Sequence, residues 1–189
     1  MVVLAVAALL LGVWAQTSWA DDAFAKITGS QQGVILGDQP NIATIPGSKD
    51  AVQIFSTTFG LTVPQTTGSG GVVFGKPNPS PVSLLKRFDR ASPKLLRAAF
   101  TGESLTIEVT WFMIFQGTPR KSVTIRLDNA VITDIQAAAD LQGSNASGLE
   151  NVSVVYGRIT FSTPIIDPVT GQVTGTSSVC LEPASGKTC

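Results

Sequence analysis

From Leu105 to Phe115 apolar side chains fall on every second residue: Leu105, Ile107, Val109, Trp111, Met113 and Phe115, with Thr106, Glu108 and Thr110 between the first of them. A period of two puts one set on one face of an extended chain, so the run is predicted as a strand with that face in a core. Phe112 and Ile114 make the second face apolar too, which predicts that its far end is covered by a second sheet or by a neighbouring subunit. Gln116-Gly117-Thr118-Pro119 then turns the chain. Val123, Ile125 and Leu127 alternate with Ser122, Thr124 and Arg126 in the return strand, and the two runs make a hairpin.

The rest of the chain reads largely the same way. Gly33–Gly37, Val52–Phe55, Val82–Lys86, Ala130–Ile135 and Val152–Ser162 have strand character, separated by Gly and Pro. Thr66 to Pro81, with Gly68, Gly70, Gly71, Gly75 and three prolines, is predicted as a long loop in which Val72-Val73-Phe74 is extended. A single helix stands out. Ser92 offers an acceptor for an orphan amide, Pro93 suits the first turn because it lacks an N–H, and Gly102 can take the left-handed stop. Its expected apolar stripe is Leu95, Leu96, Ala99 and Phe100. Many strands, many turns and one helix predict a mainly β (α+β) protein, a closed barrel or packed sheets with a helix on one side.

The 189 residues suit one compact domain. Thirteen basic residues against thirteen acidic leave no field to draw the chain to nucleic acid. A charged content of 14% leaves a neutral surface suited to self-association. Residues 1–20 differ in kind: Val2 to Ala15 is apolar but for Gly12, and Ser18-Trp19-Ala20 ends the run on small residues, as a signal peptidase requires. An export signal is expected there, against a buried helix or a retained anchor. No later segment is long and apolar enough to span a bilayer, so stable membrane insertion is not expected. Cys180 and Cys189 flank a Pro183-Ala184-Ser185-Gly186 turn, which favours a disulfide in an oxidising compartment over two free thiols.

There is no histidine, which removes the commonest general base and metal ligand together. No serine lies in a nucleophile-elbow pattern. Carboxylate pairs remain, Asp128 with Asp134 and Glu103 with Glu108, but acids on strands and turns are ordinarily solvated or salt-bridged. Gly68-Ser69-Gly70-Gly71 lacks the Lys-Ser/Thr ending and following helix of a phosphate loop. Lys86, Arg87, Asp89, Arg90, Lys94 and Arg97 form an anion site, an inter-subunit ion-pair network or a solvated mixed face. No catalytic residue, cofactor or metal site is assigned.

Several segments, taken in order, are familiar: Gly33–Gly37, Pro64–Gly71, Lys86–Asp89 running into Ala91-Ser92-Pro93-Lys94-Leu95-Leu96, Leu127–Ile132, and Glu150–Ile159 with its Tyr156-Gly157-Arg158-Ile159. Together they resemble the Hcp family of bacterial type VI secretion tube proteins. The resemblance runs from about Ile27 to Gly171. It implies a β-barrel of two packed antiparallel sheets flanked by one short α-helix, over residues 21–173. It also implies assembly with copies of itself into a six-membered ring that stacks into a tube, exported to the periplasm or beyond, with effector or spike proteins as further partners. By the same resemblance the segment 46–59 extends toward a neighbour, so that Lys49, Asp50, Val52, Ile54 and Phe55, with Phe112 and Ile114, become interface candidates. The leader and the 174–189 tail lie outside the family pattern. An exported monomeric module that binds carbohydrate or protein is the alternative on the same fold.

Overall fold

A computed structural model describes residues 22–40, 42, 45, 47–68, 71–115, 117–140 and 147–189. The expected export signal at 1–20, the middle of the glycine loop and the polar turn at 142–145 lie outside them. In chain order the elements are β1 (Asp22–Gly29), β2 (Gly33–Ile35), β3 (Val52–Thr58), β4 (Leu61–Thr62), β5 (Gln65–Gly68), β6 (Gly71–Phe74), β7 (Asn78–Pro79) and β8 (Val82–Arg87). After them come α1 (Ser92–Thr101), β9 (Leu105–Phe115), β10 (Thr118–Asp140), β11 (Ser147–Val155), β12 (Arg158–Ile166), β13 (Val173–Glu182) and β14 (Lys187–Thr188).

The strands β11, β8, β3, β1, β9 and β10 lie side by side in that order, and β10 pairs again with β11, which closes the sheet on itself. Every pairing in the ring is antiparallel. The alternation in β9 and β10 sets the inside of this barrel: Leu105, Ile107, Val109, Ile125 and Leu127 are all buried. Val52, Ile54, Val82, Leu84, Val152 and Val154 complete the core from the other wall. A pleated strand delivers every second side chain inward, so closure buries one face of each strand and removes the open edges of the six.

β10 does two jobs because its partner changes midway. Thr124–Asp128 pairs with β12, whereas Val131–Asp140 pairs with β11. Between them Asn129 takes a positive φ of 52°, and the Gly157 amide donates to the carbonyls of Asp128 and Asn129 at 3.1 and 3.2 Å. The strand expected over 152–162 is therefore two strands, parted at Tyr156-Gly157 where the chain crosses from one neighbour of the barrel to another. β12, β13 and β14 form a flap off β10. The sheet thus runs on past residue 174, so the 173/174 division expected from sequence is no structural boundary.

Helix α1 packs on β10 and gives Ala91, Leu95 and Ala98 to the core. Gly102 ends it at φ 65°, its amide donating back to the last carbonyls, as a left-handed stop requires. The expected stripe is rotated: Leu96 is 61% and Phe100 93% exposed, because successive helical residues are 100° apart and Leu95, Ala98 and Ala99 already fill the inner face. Ser92 does not cap the helix. Its hydroxyl accepts from the Asp89 amide at 3.1 Å and donates to Glu150 at 2.6 Å instead.

A second, smaller core lies outside the barrel. Phe24 of β1 and Phe112 of β9 meet with ring centroids 6.0 Å apart, and Ile45 and Ala51 cover them. Phe112, on the second face of β9, is thus covered by Ile45 and Ala51 of the same chain, while Ile114 at the far end of that face is 38% exposed.

Candidate functional site

The fold carries two buried polar anchors. Lys86, on the same inward face of β8 as the buried Val82 and Leu84, carries its ammonium under the start of α1. There four acceptors lie within reach of its three N–H groups, Glu150 Oε1 at 2.5 Å, the Arg87 carbonyl at 2.6 Å, Asp89 Oδ1 at 2.8 Å and Ser92 Oγ at 3.1 Å, so one N–H is shared between two of them. Both Lys86 and Glu150 are buried, so the charges are tolerable only because each is paired and fully hydrogen-bonded. The cluster ties β8, β11 and the helix together. Glu103 is the second anchor: it accepts from the Gln31 and Gln32 amides at 2.6 and 2.8 Å and from Gln32 Nε2 at 2.7 Å, fixing the β1–β2 turn. Burial pushes this carboxyl up, but the hydrogen bonds from Gln32 and Gln31 and the charge of Arg97 outweigh it, leaving the group below the usual glutamate value.

Two exposed surfaces are apolar, and of these only the one on α1 sits on an anchor. β5 and β6 form a hairpin with register Gln65↔Phe74 to Gly68↔Gly71 that pairs with no other described strand. Its Val72, Val73 and Phe74 are 51–67% exposed. Part of the segment read as a loop is therefore a β-hairpin, Gln65–Gly68 against Gly71–Phe74, and Val72-Val73-Phe74 is extended as expected. Leu96 and Phe100, four residues apart on α1, make a second exposed apolar patch. Large apolar side chains grouped in this way mark contact surfaces on a soluble protein.

The interface candidates divide. Val52, Ile54 and Phe112 are buried within the protomer, the first two in the barrel and Phe112 beneath Ile45 and Ala51, which takes them off any docking surface. The reason is that Val52–Thr58 is a barrel strand, while Ile45 and Ala51 pack on Phe24 of β1 and Phe112 of β9. Lys49, Phe55 and Ile114 are exposed, and Arg87 lies over the Phe55 ring at 5.2 Å. Asp50 is half-buried and holds the Arg90 guanidinium, which also donates to the Gly37 carbonyl at 2.6 Å. The basic cluster of 86–97 accordingly splits: Lys86 is an internal anchor, Arg90 fastens the 37–50 segment, and no common anion site is formed.

The carboxylates considered for chemistry are each engaged singly. Asp128 receives Arg126 at 3.0 Å, Glu108 faces Arg126 at 3.9 Å, Asp134 accepts from Gln136 at 2.9 Å, and Glu103 is the turn anchor. Among the described residues no three His, Cys, Asp or Glu side chains gather as a metal site, and no helix is long and apolar enough to cross a membrane. Cys180 and Cys189 are joined by a disulfide, with Cα atoms 5.3 Å apart, that closes the β13–β14 turn. The exposed hairpin and the Leu96/Phe100 patch were not signalled as surfaces by the sequence. Their apolar residues look like core residues until the barrel shows its interior already full.

Comparison with known proteins agrees with this architecture. The family model described as type VI secretion system effector, Hcp, matches residues 24–162. The "Major exported protein" of Pseudomonas aeruginosa is 31% identical over 169 residues, covering 84% of this chain and 93% of that protein. A crystal structure of an Hcp protein superposes with a TM-score of 0.65 at 27% identity, covering 84% of this chain and 96% of the other. The secreted protein Hcp3 from Pseudomonas aeruginosa superposes with a TM-score of 0.54 at 28% identity over 84% and 97% of the two chains. A type six secretion system protein reaches 0.74 over 90% of this chain and all of its own, and at 20% identity it speaks for the fold alone.

Proposed function

The chain belongs to the Hcp family of type VI secretion proteins, and from that premise we propose how it works as an exported tube subunit. Members of this family build hexameric rings and tubes. The observation that carries the reading to individual residues is the pair of separate exposed apolar surfaces, the β5–β6 hairpin and the Leu96/Phe100 face of α1. A cyclic ring needs heterologous contact, in which one patch of a subunit meets a different patch of the next. Two dissimilar patches on one rigid barrel supply that condition. The protein works mechanically: the barrel is a stiff block, the Lys86–Glu150 anchor holds the α1 patch in place, and no bond-making chemistry is required of it.

Residues 1–20 act in this reading as an export signal, which delivers the chain to a compartment where the Cys180–Cys189 disulfide persists. Effector or spike proteins are its further partners. Negative-stain microscopy and light scattering on residues 21–189 test the proposal. Rings at the mass of six copies are expected, and a protein that stays single at high concentration overturns it in favour of a monomeric binding module.

A further inference from the structure

Between the flap and the base of the hairpin lies a cavity of about 390 Å³, within the size range of small-molecule sites. Phe59, Leu61, Phe161, Val179 and Leu181 give it a nearly continuous carbon lining, and Phe59 and Phe161 meet at 6.1 Å between centroids. Tyr156 brings its phenol into the wall, where burial raises its pKa. An exposed apolar concavity of this kind is filled poorly by water and well by hydrocarbon.

The rim is charged unevenly. Glu182 is the acid there, and its carboxylate is held by Arg158 at 2.8 Å. Lys187 stands opposite Glu182 in the β13–β14 register, yet among the described residues its ammonium has no carboxylate within 4.0 Å. Lys76 adds a further positive charge nearby, donating to the Ala184 carbonyl at 2.8 Å. β14 keeps Lys187 in place through two register pairs and the Cys180–Cys189 disulfide.

We propose that this cavity binds an anionic amphiphile, a carboxylate with a medium-length alkyl body, the body lying against Phe59, Leu61 and Phe161 and the carboxylate meeting Lys187. Charge complementarity selects the head group and the apolar lining selects the body. All of its lining residues come from a single protomer.

Calorimetry with decanoate and with decanol tests it on the purified protein, its V179W and K187E variants, and thermal unfolding of each. Val179 is 45% exposed, so tryptophan there fills the cavity without entering the barrel core. Saturable decanoate binding is expected, lost in V179W and weakened about fivefold or more in K187E, with decanol unaffected by K187E. No saturable binding, or equal binding by V179W, overturns the site. Equal decanoate affinity in K187E overturns the head-group assignment. If V179W unfolds early, L61W fills the same cavity from its other wall, on a residue 55% exposed, and the same two outcomes apply.

Discussion

Lys86 Nζ and Glu150 Oε1 lie 2.5 Å apart with both side chains sealed from solvent, one on β8 and one on β11. A buried pair of this kind is costly to break from one side, because the surviving charge is left without a partner. K86M is expected to lose about 3–5 kcal/mol of stability. The double variant K86M/E150L is expected to lose less than the sum of the two singles, since it removes both charges. Urea unfolding midpoints of the four proteins measure the coupling.

Glu103 gives the fold a pH dependence of known sign. Its carboxyl is held below the ordinary value in the folded protein, so its contribution is present above the unfolded pKa and is lost as pH falls through the folded one. The stability difference between the protein and E103Q is therefore expected to stay constant above about pH 5 and to shrink below the usual glutamate value of about 4.3. Denaturation at a series of pH values shows this as two curves that converge toward acid. Curves that stay parallel would mean the carboxylate is not favoured by the fold.

The disulfide acts locally. The Cys189 amide donates to the Cys180 carbonyl at 3.2 Å and β14 pairs only with β13. In C180S/C189S, hydrogen exchange is expected to accelerate at 187–189 and in the facing part of β13, with the barrel amides of β9 and β10 unchanged. Acceleration throughout the barrel would contradict this local action.

In the proposed ring the contacts are exposed side chains, so assembly can be removed without unfolding the protein. L96E/F100E is expected to give monomers by sedimentation velocity, while its unfolding free energy moves by no more than about 0.5 kcal/mol, as surface changes usually do. V73D/F74D on the hairpin is expected to do the same. Rings that survive both variants would relocate the contacts.

The barrel was readable because closure uses a local signal. Alternation in 105–115 and 122–127 reports burial directly, and the Ser-Pro start and Gly102 stop of α1 frame a helix with no tertiary information. What could not be read is which apolar residues the finished core leaves over. Leu96 and Leu95 are chemically identical neighbours, and only the position of α1 on β10 sends one in and the other out. Val52, Ile54 and Phe112 fail as interface residues for the converse reason: the sequence shows that they are apolar, and only the fold shows that their own chain covers them. The break at Tyr156-Gly157 was hidden too, since both flanks read as strand and it is the change of partner on β10 that separates them.

That change of partner also sets how the molecule would come apart under tension. A pull on the last residue passes through the Cys180–Cys189 disulfide straight to β13, so it spares β14 and peels β13 and then β12 edgewise from its neighbour, breaking no pairing within the ring of six strands. It stops at Asn129, where β10 turns from its outer neighbour to β11 and the remaining strands are fastened on both sides. The flap is thus the part that yields first, and because Ile159 of β12 belongs to the main core, its loss uncovers that side of the barrel interior.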